Sequence, residues 1–156
     1  MMAQADDALA LDNQVCFALY AANRAVTARY RPLLADLDLT YPQYLAMLVL
    51  WEQGRVGAQT RVSDLGRRLR LDSGTLTPLL KRLEERGLVR RERSQQDERV
   101  VILALTDAGR ALQERARSVP QQLLCGVALE PERLHALREE LRAVLTALEG
   151  EAGSTG

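Results

Sequence analysis

Apolar residues recur every three or four positions through most of this chain, a spacing that predicts helices. Val15, Leu19, Ala22 and Val26 mark the first, over residues 11–35, with Asp12 placed to cap it and Pro32 near a kink or the last turn. A connector, Asp36 to Thr40, leads to a second helix opening at Tyr41-Pro42, because proline is tolerated in a first turn. Tyr44, Leu45, Leu48 and Trp51 continue it until Gly54 and Gly57 break the pattern, and Met47 and Trp51 read as core. Two shorter amphipathic segments follow. Val62 to Leu69 has Val62, Leu65 and Leu69 on one stripe, and Arg70-Leu71-Asp72 turns the chain. Ser73 to Arg86 then directs Leu76, Leu79, Leu80 and Leu83 inward and Thr75, Lys81 and Arg82 outward. Pro78 leaves two starts open for this helix: at Ser73, with one early backbone hydrogen bond deleted, or with Thr77 capping and Pro78 first.

Gly87 ends that helix, and the periodicity changes. Leu88 to Arg93 and Val100 to Leu105 are β-like runs joined by polar residues 94–99, which predicts a hairpin. Thr106-Asp107 caps a long helix reaching about Cys125, interrupted or bent at Pro120. Leu134, Leu137, Leu141, Val144 and Leu148 mark a final helix from Glu130-Pro131-Glu132, and residues 150–156 read as a flexible tail. The expected fold is mainly α with a small β-hairpin. The apolar stripe of the last helix asks either for a partner or for a place in the chain's own core.

A length of 156 residues argues for one domain, or one domain with an appended element. The longest apolar run, Leu45 to Trp51, is far short of the ~20 residues that span a bilayer. Met1 to Gln14 holds Asp6, Asp7 and Asp12 and no base, unlike a secretory or transit peptide, so a cytoplasmic location without membrane attachment is expected. Cys16, Cys125 and His135 are too few and too scattered for a zinc site, and no cofactor is expected. His135 reads as a surface residue.

The formal net charge is zero, but its distribution is uneven. Residues 55–99 carry twelve basic side chains against seven acidic ones, between two net-acidic ends. A basic middle suits a nucleic-acid reader, because phosphate attraction is local to the contacting face. Helix, three-residue turn, helix and hairpin is also the order of a winged helix-turn-helix, with the second helix entering a major groove and the hairpin an adjacent minor groove. Ser73, Thr75 and Thr77 supply short donors near a helix N-terminus, Lys81 and Arg82 lie one to two turns further, and Arg91 sits on the hairpin. Asp97 and Arg99 are two apart, so on an extended strand they share a face and the carboxylate can hold the guanidinium toward a narrow groove.

Val62 to Arg86, then Gly87-Leu88-Val89-Arg90-Arg91, Asp97-Glu98-Arg99 and Leu105-Thr106-Asp107-Ala108-Gly109 resemble the multiple-antibiotic-resistance regulator (MarR) family. Four further stretches resemble its organic hydroperoxide resistance branch: residues 11–20 around Cys16, Tyr30-Arg31-Pro32-Leu33-Leu34, residues 39–45, and residues 71–78. The resemblance implies one domain over residues 1–156, a DNA-binding lobe over 55–105, and dimerisation helices at 11–35 and 106–149. It implies a homodimer on a pseudo-palindromic double-stranded operator, acting as a repressor rather than an enzyme.

Cys16 falls in the first turns of a helix, where unpaired N–H groups and the dipole favour a thiolate. Its neighbours Val15, Phe17 and Leu19 suit a greasy alkyl or lipid hydroperoxide. The resemblance further implies that Tyr30 and Tyr41 of the other subunit hydrogen-bond this thiolate. It implies that oxidised Cys16 is captured by Cys125 in an intersubunit disulfide that releases the DNA. If Cys125 is idle, Cys16 instead joins a small thiol or overoxidises. Two other readings stay open: a reversible small aromatic effector, and a thiol peroxidase.

Overall fold

The computed structural model describes residues 7–152. The chain divides into two compact units, one ending at Leu123 and one beginning at Leu124. In the first, a 3-10 turn (Leu11–Asn13) precedes α1 (Val15–Ala35), α2 (Tyr41–Arg55), β1 (Thr60–Arg61), α3 (Val62–Leu69) and α4 (Ser73–Glu85). β2 (Val89–Arg93), β3 (Val101–Leu105), α5 (Asp107–Ala116) and α6 (Val119–Leu124) follow, α6 ending one residue into the second unit. The second unit consists chiefly of α7 (Pro131–Ala152).

Helix α2 is the centre of the first unit, packing on α1, α3, α4, α5 and β3. Tyr44, Ala46, Met47, Val49, Leu50 and Trp51 are all buried, so α2 is covered on most sides. Its start is firmly set: Thr40 Oγ1 accepts from the Gln43 N–H, and the Gln43 side chain accepts from the Thr40 N–H, a capping box followed by Pro42. Leu65, Leu76, Leu80 and Leu83 bring α3 and α4 into the same core. The sheet is antiparallel with order β1-β3-β2, Thr60 opposite Leu103 and Val89 opposite Leu105.

Two joints tie these layers. The Trp51 indole N–H donates to the Gly109 carbonyl at 2.9 Å inside the core. Thr106 caps α5 through the Gly109 N–H, and its hydroxyl also donates to the Gly87 carbonyl. At the same C-terminal end of α4, the Arg86 guanidinium donates to the carbonyls of Leu37 and Asp38 and lies 3.5 Å from the Asp38 carboxylate. It thereby braces the connector in which Asp38 takes a left-handed φ of 52°.

Several local expectations change. Asp12 does not cap α1: it lies in the 3-10 turn, and Gln14 holds the N-cap position without a side-chain cap. The Gln14 amide points back to the carbonyls of Ala8 and Ala10. Gly54 stays inside α2, and the chain leaves the helix at Val56-Gly57, where Gly57 has φ 68°. The hairpin gains a third strand, β1. The helix expected from Thr106 to Cys125 is two helices broken at Arg117-Ser118, with Pro120 in the first turn of the second. Pro78 resolves to the early start, inside a helix that begins at Ser73, and Pro32 lies in the last turn of α1. α7 extends through Ala152, three residues into the stretch expected as a tail; residues 153–156 and the first six of Met1–Gln14 lie outside the described residues.

Candidate functional site

The turn between α3 and α4 is built for close approach. Arg70 adopts the left-handed conformation with φ 55°, and the Leu71 N–H closes on the Gly66 carbonyl at 2.9 Å. A Cβ on Gly66 would sit 3.0 Å from a Leu76 methyl and 3.3 Å from the Leu71 carbonyl, so glycine lets the two helices meet. Asp72 caps α4, its carboxylate accepting from the Thr75 N–H at 2.8 Å. That backbone bond, aided by the Thr75 hydroxyl, holds the Asp72 carboxyl below its usual range. The outward row is as expected: Ser73, Thr75, Thr77, Lys81 and Arg82 are exposed, while Leu76, Leu79, Leu80 and Leu83 are buried.

Ser73 and Thr77 border an open groove of about 470 Å³ between α4 and the hairpin, and Arg91 and Arg99 border it from the other side. The hairpin tip differs from the strand geometry expected of it. Residues 97–99 form a turn, and the Asp97 carboxylate accepts from the Arg99 backbone N–H at 3.0 Å rather than pairing with its guanidinium. The carboxylate therefore shapes the tip, an Asx-type turn. Arg93 supports it by donating to the Glu98 carbonyl at 2.8 Å.

Much of the basic excess is used internally. Arg68 pairs with Glu52, Arg67 with Asp64, Arg86 with Asp38, Arg90 with Glu92, and Arg91 with Glu84. The guanidinium groups of Arg82 and Arg99 take no partner among the described residues, and Lys81 stands 4.0 Å from Glu85. The roles of Glu84 and Arg86 are invisible to periodicity, because their partners lie seven and nearly fifty positions away.

Cys16 is exposed at the second residue of α1. The first helical hydrogen bond there runs from the Ala18 N–H to the Gln14 carbonyl, leaving the N–H groups of Val15, Cys16 and Phe17 without an acceptor in the helix. Tyr30, near the other end of α1, stacks on Tyr41 with ring centroids 4.6 Å apart, and Tyr44 completes the cluster. Burial, reinforced by Tyr41 and Tyr44, pushes the Tyr30 phenol up to about 12; burial also raises Tyr41 and Tyr44. Tyr30 lies fourteen helical positions beyond Cys16, about 21 Å along the axis, so one chain does not bring the thiol to its own tyrosines. Cys125 is an exposed thiol between α6 and α7. His135 is exposed, with Nδ1 2.7 Å from Arg138.

Two helices set by a tight turn, with a three-stranded sheet carrying the wing, define a winged helix-turn-helix protein. Residues 28–115 match the family described as transcriptional regulator SarA/Rot. The chain is 46% identical over 142 residues to the organic hydroperoxide resistance transcriptional regulator of Bacillus subtilis, covering 91% of this chain and 94% of that one. It is 49% identical over 152 residues to the HTH-type transcriptional regulator TtmR of Methylorubrum extorquens, covering 96% and 75%. Among solved structures it resembles reduced AbfR bound to DNA, at 38% identity and TM-score 0.72 over 92% of this chain and 97% of that one. AbfR is a Staphylococcus epidermidis protein, also solved in overoxidized, DNA-bound form and in disulfide form.

This chain belongs to the SarA/Rot/MarR-type family of winged-helix regulators. It is a DNA-binding transcriptional regulator, and its family and relatives are regulators rather than enzymes. No helix among the described residues is long and apolar enough to cross a membrane.

Proposed function

We propose that the protein is a homodimeric repressor that holds a pseudo-palindromic operator through two winged lobes and releases it when an organic hydroperoxide oxidises Cys16. Ser73, Thr75 and Thr77 meet phosphates or base edges at the N-terminus of α4, Lys81 and Arg82 extend that contact, and Arg99 reaches the flanking minor groove. The observation that carries the sensing role is the placement of Cys16. It is exposed at a helix start with unsatisfied N–H groups, on a surface shared with the exposed apolar residues Val15 and Leu19. Its separation from Tyr30 along α1 favours phenolic donors from the second subunit. Tyr30 and Tyr41, both raised in pKa, stay protonated and able to donate at neutral pH.

The Cys16 thiolate attacks the peroxide, forming an S–O bond and breaking the O–O bond; the products are a sulfenate and an alcohol. The Cys125 thiol of the other subunit then attacks the sulfenic sulfur, forming the disulfide and expelling water. The Bacillus subtilis relative and the three oxidation states solved for AbfR support this chemistry. In a gel-shift titration, organic hydroperoxide is expected to free the DNA, dithiothreitol to restore the complex, and Cys16→Ser to stay bound. Peroxide release of Cys16→Ser would overturn the proposal. Nonreducing electrophoresis is expected to show a peroxide-induced dimer band that Cys125→Ser lacks.

A second reading, a reversibly bound aromatic effector, draws support from a groove of about 530 Å³ lined by Tyr44, Leu48, Trp51, Arg55 and Arg68. A structure at 26% identity and TM-score 0.75 concerns regulation of DNA binding in Bordetella bronchiseptica BpsR by 6-hydroxynicotinic acid. Release of Cys16→Ser by such a ligand without oxidant would favour this reading.

A further inference from the structure

Glu84 is the penultimate residue of α4, and Arg91 is the middle residue of β2. Only Arg86, Gly87 and Leu88 link the two elements, and Gly87 takes φ 69° to turn the chain. Across that turn the Glu84 carboxylate gathers three donors from one residue. Oε2 accepts the Arg91 backbone N–H at 3.0 Å, and Oε1 accepts Nε at 3.3 Å and Nη2 at 3.0 Å. β2 is an edge strand, so Glu84 satisfies an N–H that has no neighbouring strand to receive it. The backbone bond, then the side-chain bonds, hold the Glu84 carboxyl below its ordinary range.

We propose that Glu84 and Arg91 are a positioning pair that fixes the wing against the recognition helix, with Arg91 serving the protein rather than a phosphate. The inference rests on the reading of α4 and the hairpin as the DNA-contacting surface. A carboxylate on a surface that faces phosphates opposes binding electrostatically. Its presence is explained if it holds the wing, and with it Arg99, at the distance from α4 that simultaneous entry into adjacent grooves requires. The Nε and Nη2 N–H groups, both donating to Glu84 Oε1, also hold the guanidinium in one orientation.

The two roles of Arg91 predict opposite signs for one variant. The probe is a duplex selected from a random pool by the wild-type protein, with binding read at a temperature where circular dichroism shows every variant folded. If the pair positions the wing, Glu84→Ala and Arg91→Ala each weaken binding to the selected duplex by on the order of tenfold. The double variant is then no weaker than either single one, and binding to random-sequence duplex changes little. Glu84→Gln, which keeps an acceptor for the Arg91 N–H, gives a smaller loss. If Arg91 instead contacts phosphate, Arg91→Ala weakens all duplexes and flattens the salt dependence, while Glu84→Ala binds as well as wild type or tighter. That result, or additive losses in the double variant, would overturn the proposal. A wild-type protein that selects no duplex would refute the DNA-contacting reading itself.

Discussion

A half-buried phenol stacked on one phenol and tilted against a second gives up its proton reluctantly. Tyr30 is in that position, its pKa raised to about 12 while an unfolded tyrosine stays near 10. Because the folded form keeps its proton longer, the burial favours the native state below pH 10 and ceases to do so as pH rises toward 12. Thermal unfolding is therefore expected to shift to lower temperature across that alkaline window, and a Tyr30→Phe protein should show a shallower decline. Tyrosinate absorbance read in parallel should show part of the four-tyrosine signal appearing late. A decline of equal steepness in Tyr30→Phe would refute the assignment. Family resemblance gave Tyr30 and Tyr41 a role in the sequence, whereas Tyr44, the third ring, lay in a resembling stretch without a role and otherwise showed a helical spacing it shares with ordinary core residues. Asp97 misled for a physical reason. Two residues apart on a strand share a face, but the chain is already turning at Asp97, and a carboxylate in a turn finds the nearest backbone N–H first.

Between elements, the glycine that allows the tightest approach lies where α5 meets the start of β2. A Cβ on Gly109 would lie 2.1 Å from the Leu88 carbonyl oxygen, closer than any real contact. That carbonyl also receives the Thr106 N–H, and the Gly109 carbonyl receives Trp51, so neither strand nor helix can retreat without losing a buried bond. Gly109→Ala is expected to cost about 3 kcal/mol, lowering Tm by roughly 10 °C, as scanning calorimetry would show. A change of a degree or less would mean that the joint is softer than its geometry. Helices were the most legible elements, because a leucine at every third or fourth position, as in α4, leaves one face to bury. The two-residue strand β1 was not legible: its identity comes from Leu103 and Ile102 across the sheet, some forty residues away. The break at Arg117-Ser118 was expected near Pro120, but proline settles into the first turn of the following helix, so the chain breaks before it.

At the scale of the molecule, α1 in the first unit and α7 in the second each leave apolar residues uncovered. Val15 and Leu19 on α1 and Leu137, Leu141, Val144 and Leu148 on α7 are all exposed. Each is a face that a homodimer would use, and dimerisation ties two modest half-site contacts into one strong complex. Leu137→Asp with Leu141→Asp is expected to yield monomers by sedimentation and to weaken operator binding by about 100-fold or more. A dimer that survived both changes would place the interface elsewhere. Charge tells a similar story of redistribution: the basic middle of the sequence is real, but ion pairs within the lobe absorb much of it, and among the described residues the guanidiniums of Arg82 and Arg99 stay outside those pairs.

The Arg86 brace has a mechanical consequence. The stretch between α1 and α2 is leashed to the foot of α4 by a single side chain gripping two carbonyls and a carboxylate. Drawing that stretch away from α4 would break all three contacts at once, with no disturbance of the leucine core.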